Sequence, residues 1–514
     1  MVKTLTLIIG AGPCGLSAAA RLTQIDPNHD YLLVDANPPG GLSSTFTTPE
    51  GFLFDLGGHV IFSHFKFFDD LIEAGADAKL EDPTFWAKHE RVSYVWMKKR
   101  WVPYPFQNNL QSLDKEDQVT CLNGLIKATV ATATASPDSK PANFNEWIER
   151  VMGSGINDLF MRPYNYKVWA YPTTDMAWNW LGERVATANV FQAVSNAMSG
   201  TESLGWGPNS TFHFPHRGGT GGIWDGVSKR CVPDNRKRFG ESNRITNIDV
   251  ANKVATLSSG ETITYTNLLS TMPLDIMLSM VRENFAETKT EVPPTIDLAP
   301  KLVYSSSHII GIGLRGVNPH DTKCWLYFPE DDCPFYRGTV FSHYGDGNVP
   351  NKATLLRTTR IAGSPPNVGL TGEEQPGPYW SLMFEVSESP KKAVNLAAVV
   401  EETIQGAINT NMISKGAEIV STWHKRLEHG YPTPFIGRDD TLNNVLPYLK
   451  EQGIWSRGRF GSWKYEVGNQ DHSCMVGVEA VDNIIYGARE FTMNYCGLAN
   501  ERGKKYTDMR YNKP

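Results

Sequence analysis

Residues 5 to 10, LTLIIG, form a continuous apolar run of the kind found in a strand buried on both faces. It is followed by LSAAARLTQI, whose small residues at helical spacing predict a helix packed closely on a sheet, and then by a second apolar strand, YLLVD, ending at Asp35. From about residue 110 to 200 the period becomes helical, in LDKEDQVTCLNGLIKATVATAT and NFNEWIERVMGSGINDLF, with ASPDSKPANF as the loop between them. Strand-like runs follow at NRITNIDV, KVATLSS and YTNLLSTM. Between residues 300 and 430 turn-separated apolar runs (SSSHIIGIGLRG, CWLYFPEDD, YRGTVFSHY, YWSLMFEVSES) predict an antiparallel sheet. Near the end, GNQDHSCMVGVEAVDNIIYGARE leads from loop residues into a helix pattern from Val478.

This order predicts an α/β protein with a Rossmann-like cofactor domain, an inserted helical domain and an antiparallel-sheet substrate domain. The expected boundaries are 1–100, 215–275 and 455–514 for a discontinuous cofactor domain and 105–200 for the helical domain. The segments 201–214 and 276–454 are left for the sheet. A length of 514 residues suits two or three domains sharing a cleft.

The first strand and helix are joined by Gly10-Ala11-Gly12-Pro13-Cys14-Gly15, the G-x-G-x-x-G spacing, and Asp35 lies twenty residues beyond Gly15. With a strand before, a helix after and an acid at that distance, the motif reads as a dinucleotide site. Gly10 makes the turn, Gly12 admits a pyrophosphate, Gly15 lets the helix pack closely, and Asp35 accepts from a ribose. The start of the chain has the look of a signal peptide, but this glycine spacing explains it better.

A second loop, Pro38-Pro39-Gly40-Gly41-Leu42-Ser43-Ser44, and a third glycine pair in FDLGGHVIFSH follow. That extension resembles the FAD-binding arrangement of the amine oxidase and phytoene desaturase type, with Gly41, Leu42 and Ser43 as cofactor contacts. NRITNIDV, with Ile245, falls where such folds place the adenine. In the same resemblance the C-terminal helix returns its positive end to the flavin pyrimidine.

A net charge of −6 argues against nucleic acid or an anionic membrane as partner, so an anionic ligand needs local positive groups. No run is long and apolar enough to span a bilayer. The seven cysteines show no CxxC pair and no metal spacing, so no metal is expected and a reducing compartment, the cytoplasm, is. Aromatic and amide residues concentrate in WVPYPFQNN, RPYNYKVW and RGRFGSWKYE, a composition suited to stacking flat rings and bonding hydroxyls.

Together GGHVIFSH, WVPYPFQNN, FMRPYNYKVWA, CWLYFPEDDCPFYR and GRFGSWKYEVGNQDHS closely resemble the eukaryotic, fungal-type UDP-galactopyranose mutases, from the first glycine motif to near residue 490. The resemblance implies interconversion of UDP-galactopyranose and UDP-galactofuranose without net redox change. Reduced-flavin N5 attacks the anomeric carbon, UDP leaves, and the ring recloses through a flavin-iminium intermediate. It implies FAD that is active when reduced, NADPH as reductant, and a homo-oligomer, a tetramer in the fungal proteins. The longer C-terminal tail of some members is expected to be absent before Pro514.

It also implies roles. Arg184 and Arg337 hold the diphosphate, with Tyr431 and Tyr465 bonding the same phosphates. Tyr104, Phe106, Gln107 and Asn165 take the uridine end, and Trp169, Trp325, Tyr327 and Tyr344 line the substrate pocket. Asn209 lies on one of two flaps, around 181–189 and 205–211, with Gly182 and Gly205–Gly207 as hinges. Arg91, Ser93, Arg459, Asn469, Gln470 and Ser473 touch the flavin, and Gly58 and His59 lie near N5 as a loop that changes with redox state. An FAD-dependent oxidase or desaturase of the amine oxidase type is the alternative, since it shares the cofactor motifs. A non-catalytic flavin- or nucleotide-binding protein is the second.

Overall fold

The apolar run at the start becomes the strand Val2–Ile9, which pairs in parallel with Thr262–Ser270 on one side and Tyr31–Asp35 on the other. Ile9 lies opposite both Ser270 and Val34, so these three strands end together and their C-terminal ends form one edge. The sheet has seven strands and runs from Ile245–Asp249 through Val254–Leu257 and these three to Lys237–Phe239, with Ile454–Ser456 paired to Thr262–Ser270. The helix Pro13–Ile25 follows the first strand at once, as parallel pairing requires a covering crossover. The structure is a computed structural model that describes residues 2–136, 138–181, 184–203, 210–287, 292–320, 322–501 and 511.

A second, eight-stranded sheet is mostly antiparallel. Its centre is the strand Tyr304–Arg315, between Tyr379–Glu388 and the fifteen-residue Glu418–Pro432. Beyond Tyr379–Glu388 come Arg337–Thr339, Trp325–Tyr327, Ser93–Met97 and Arg100–Pro103. The helices Lys115–Thr134, Phe144–Ile156 and Arg162–Trp169 form the insert, packed around Phe106, Phe144, Ile148, Phe160 and Trp180.

The division expected from sequence differs from this in three places. Ser93–Met97 and Arg100–Pro103, expected in the cofactor segment and at its edge, are hydrogen-bonded into the second sheet. Alternating residues fix that a segment is a strand but not which sheet receives it. Thr211–Pro215 pairs instead with Trp86–Glu90. The helices Leu274–Glu287 and Arg438–Glu451, expected with the substrate sheet, bury Leu274, Met277, Leu278, Val281, Leu442, Val445 and Leu449 in one core with Leu7, Ile9 and Leu268 of the first sheet. Among the described residues no helix is long and apolar enough to cross a membrane.

Candidate functional site

At the C-terminal edge of the first sheet Gly10 takes φ +100°, and its N–H donates to Val34 O at 2.8 Å. A Cβ at Gly15 would fall 1.8 Å from the Gly10 carbonyl oxygen, so only glycine lets the helix start this close to the strand. The Ala11 N–H donates to one Asp35 carboxylate oxygen at 2.7 Å, and the Asn37 N–H donates to the other at 2.8 Å. Burial raises the Asp35 pKa, and these two backbone donors partly offset that. The second glycine loop is tied to the first, with the Gly40 N–H on Ala11 O at 2.8 Å. A Cβ at Gly41 would stand 2.9 Å from Gly12 Cα. Two loops whose backbones approach this closely form a cradle of N–H groups with no side chain between.

The helix Gln470–Tyr486 converges on the same place. It packs across Pro13–Ile25 so tightly that a Cβ at Gly477 would lie 2.1 Å from Cys14 O. Its N-cap, Asn469, and its first-turn residues Gln470 and Ser473 line the cavity. The Trp224 indole N–H donates to Gln470 Oε1 at 2.6 Å, which leaves Gln470 Nε2 buried and without a partner.

One cavity of about 1200 Å³ begins at this cradle and runs out between the two sheets and the helical insert. That is larger than an ordinary small-molecule site, which holds roughly 300–1,000 Å³. Asp35 and Ile245 line one end. Gly10, Gly12, Gly41, Leu42 and Ser43 follow, then Gly58 and His59, and finally Arg91, Tyr104, Gln107, Asn165, Trp169, Arg184, Trp325, Tyr327, Arg337, Tyr431, Arg459 and Tyr465.

The far end is aromatic and cationic. Tyr104 and Tyr327 stack at 4.7 Å, and the Arg91 guanidinium sits 5.5 Å above Tyr104. Trp169 meets Tyr465 edge-on at 4.8 Å, and Arg459 lies over Tyr431 and Tyr465 at 4.8 and 5.5 Å. Arg337 lies 4.7 Å from the Trp325 ring; its Nη1 donates to Glu385 at 3.1 Å, and its Nε is buried without a partner. Burial works against that charge, but Glu385 and the surrounding tyrosine oxygens outweigh it and hold Arg337 protonated. Arg184 donates to the Glu466 backbone carbonyl at 2.7 Å, and Gln107 Nε2 donates to the carbonyl of Ala186, two residues along the same loop. His59 Nδ1 has no partner, and lost hydration, helped by Arg459, pushes its pKa down to about 4, so the ring is neutral at pH 7.

Four residues named from sequence stand off the cavity wall. Gly15 acts beneath it through helix packing. Ser93 is buried in its strand, where its carbonyl accepts from the Tyr104 N–H at 3.2 Å. Phe106 stacks on Phe160 at 4.6 Å in the core of the insert. Tyr344 is buried among Phe212, Phe214 and Phe341. Asn209, Gly182 and 205–207 fall outside the described residues. Sequence reading missed Glu385, whose carboxylate sits between Arg337 and Gly58; the available signal was an acid inside the strand YWSLMFEVSE, flanked by the apolar Phe384 and Val386.

The site fits FAD on its own terms. The two glycine loops meet with no room for a side chain between them, Asp35 lies on the cavity wall twenty residues beyond Gly15, and the unpartnered Gln470 Nε2 and His59 Nδ1 are polar atoms suited to a ligand. Residues 8–71 match the family model of an NAD(P)-binding Rossmann-like domain. The whole chain is similar to a crystal structure of a reduced UDP-galactopyranose mutase, at 42% identity over 98% of each chain and a TM-score of 0.85.

The chain belongs to the UDP-galactopyranose mutase family.

It shares its fold, though little sequence, with a putative protoporphyrinogen oxidase from Exiguobacterium sp. 255-15, at 14% identity, TM-score 0.63, over 94% of this chain and 98% of that one. A putrescine oxidase variant gives 11%, 0.56, 95% and 100%. The architecture of this mutase family member is thus shared with proteins named as oxidases, so the chemistry must be argued from the site itself.

Proposed function

We propose that the protein interconverts UDP-galactopyranose and UDP-galactofuranose with no net redox change, using FAD in its reduced form and NADPH as reductant. The observation that carries this reading is that Arg184, Arg337 and the Gly58–His59 loop face one cavity, continuous with the dinucleotide cradle. The chemistry that reduced FAD supplies when bound is an electron-rich nitrogen able to act as nucleophile at the sugar's anomeric carbon.

The chain's own residues do the rest. Breaking the bond to UDP leaves negative charge on a diphosphate, and the net charge of −6 offers no general field to hold it. Arg337 presents an unpartnered buried Nε, and Arg184 stands on the loop above, so the two guanidiniums would grip the departing diphosphate by forked, charge-assisted bonds. Tyr431 and Tyr465, each faced by Arg459, would add hydroxyl donors. The stacked Tyr104–Tyr327 pair, with Gln107 and Asn165, would hold the uracil and ribose. The tie between Gln107 and Ala186 draws the arginine-bearing loop over the cavity, which would keep water from the departed UDP. His59, neutral and partly buried, would pack against the reacting centre without adding charge to it.

The test is to incubate UDP-galactofuranose with dithionite-reduced and with oxidised holoenzyme and to follow UDP-galactopyranose. Product from the reduced form alone, with the flavin still reduced at the end, is expected. No product in either state overturns the reading. Stoichiometric substrate oxidation by the oxidised form would favour the oxidase reading.

A further inference from the structure

The strand Tyr379–Glu388 separates two cavities. Glu385 lines the one described above, whereas its neighbour Val386 lines another, of about 770 Å³, on the opposite face of the strand. The helices Arg162–Trp169 and Val399–Asn409 and the segment 392–395 bound this second cavity. Two lysines face it, Lys167 from the first of these helices and Lys392 from the segment after the strand. Lys167 is 4% exposed and its three donors are engaged: Nζ reaches the carbonyls of Glu330 and Cys333 at 2.7 and 2.8 Å and the Cys333 sulfur at 3.4 Å.

Lys392 is placed differently. Its backbone is pinned by paired bonds with Ser389, both 3.0 Å, and its Nζ donates to the Ser387 carbonyl at 2.6 Å. Among the described residues that carbonyl is its one hydrogen-bond acceptor. Lost hydration works against its charge, and so does the neighbouring Lys167; Glu388 favours it, but that carboxylate is already taken by Arg426 and His308. The balance pushes the Lys392 pKa down to about 8. The acids Asp331, Asp332, Glu401 and Glu402 also line the cavity; Asp332 accepts from the Trp96 indole at 3.2 Å, and Glu401 is paired with Arg360.

We propose that Lys392 is an acylation site: its amine, set against the second cavity beside Lys167, takes the acyl group of a small thioester or acyl phosphate. The nitrogen lone pair attacks the carbonyl carbon, and the N–C bond forms as the C–S or C–O bond breaks. The leaving thiolate or phosphate takes up the proton that the nitrogen releases. A lysine desolvated in a pocket and placed beside a second cation is the usual route to a nucleophilic amine. The product suits the place. It carries no charge to desolvate, its remaining N–H still has Ser387 as acceptor, and the acyl group meets a wall that includes Pro334, Val386, Val394 and Val399. The inference is independent of the function proposed above, since neither lysine lines the first cavity.

The experiment treats the holoenzyme with acetyl phosphate and, separately, with S-acetyl-N-acetylcysteamine. Acetylation of each lysine is followed by peptide mass spectrometry over a range of about pH 7 to 10, which spans Lys392 and an ordinary lysine. Lys391 is the internal control, being adjacent, exposed and paired with Asp175 at 2.9 Å. At about pH 7.5 roughly a quarter of Lys392 is free amine, against roughly one part in a thousand of an ordinary lysine. A weaker base is also a weaker nucleophile, so a part of that advantage is expected, at least about tenfold in rate over Lys391. The Lys392 rate should level off near pH 8 while that of Lys391 keeps climbing. Labelling by one donor alone supports the inference and identifies the leaving group the cavity admits; labelling by both supports it equally. Labelling of Lys392 by neither, a rate no faster than that of Lys391, or a profile still rising at the alkaline end overturns it. Lys167→Met removes the neighbouring charge and should move the Lys392 inflection upward. An unmoved inflection, in a variant with FAD content and melting temperature near wild type, also overturns the inference. Should Lys167→Met fail to fold, the wild-type profile decides by itself.

Discussion

Arg184 is held by the main chain of Glu466: its Nη2 donates to the Glu466 carbonyl oxygen at 2.7 Å and its Nε at 3.3 Å. The side chain of the same glutamate takes a two-pronged ion pair from Arg438, at 2.9 and 2.7 Å, and both partners are buried. Arg438 also bonds Asp439, which accepts from Asn179 near the start of the Arg184 loop. Arg184 and Asn179, five residues before it, are thus both tied to one buried pair, Arg184 directly and Asn179 through Asp439.

Arg438→Ala would leave Glu466 charged, buried and unpaired. A loss of about 3–5 kcal/mol of stability is expected, the usual cost of removing one member of such a pair. Urea unfolding of the holoenzyme measures it. A change of under about 1 kcal/mol, as for an exposed pair, would contradict the role given to Arg438.

Arg337→Ala should retain FAD, because Arg337 stands at the aromatic end of the cavity and not at the glycine cradle. Its kcat/KM should drop by roughly 100- to 1,000-fold, the effect of losing one donor aimed at developing charge. Near-normal kinetics would remove Arg337 from the diphosphate.

Asp55 is fully buried, bonded by the Thr45 and Thr220 hydroxyls, and lost hydration pushes its pKa up to about 7. The unfolded chain gives up this proton near pH 4 and the folded one near 7, so folding binds a proton between those values. Stability is therefore full below about pH 4 and declines as pH rises to 7, by something on the order of 4 kcal/mol from this group. Asp55→Asn should flatten the profile in that window, as read by unfolding free energy at pH 4.5, 6 and 7.5. An unchanged slope would show that Asp55 is not the group responsible.

Gly477→Ala would set a methyl 2.1 Å from the Cys14 carbonyl oxygen and force the two cofactor-facing helices apart. Overpacking of this kind costs about 1–3 kcal/mol. Here it should also lower the FAD bound per chain, counted from the ratio of flavin to protein absorbance, and full flavin occupancy would count against helix spacing as the determinant.

The cofactor half of the site was legible in sequence because steric necessity writes it locally. Gly10, Gly12, Gly15 and Asp35 hold their spacing whatever the rest of the chain does. The C-terminal helix was legible in part: the pattern suggested a start at Val478, yet it begins at Gln470. Its first turn is polar because it faces the cavity and, through Asp471, receives the His64 ring at 2.7 Å, so helical periodicity of apolar residues is absent there. Arg184, Arg337 and the aromatic cluster came from family resemblance, since an arginine in a loop has no period to betray it. Glu385 was missed for a different reason. An acid between apolar residues of a strand is informative only once its three donors, from residues 58, 336 and 337, are known.

The contact of Gly477 with Cys14 joins positions more than four hundred residues apart along the chain. At roughly 5–20 residues per second of synthesis, the glycine cradle leaves the ribosome on the order of half a minute to a minute and a half before the helix that completes it. The strand Ile454–Ser456, on the sheet beside it, arrives nearly as late. Throughout that interval the nascent nucleotide-binding unit lacks the partners that later cover the apolar faces of Leu16 and Ala20. A cofactor held by both the cradle and the helix Gln470–Tyr486 would therefore find its site complete only after residues 470–486 have been made.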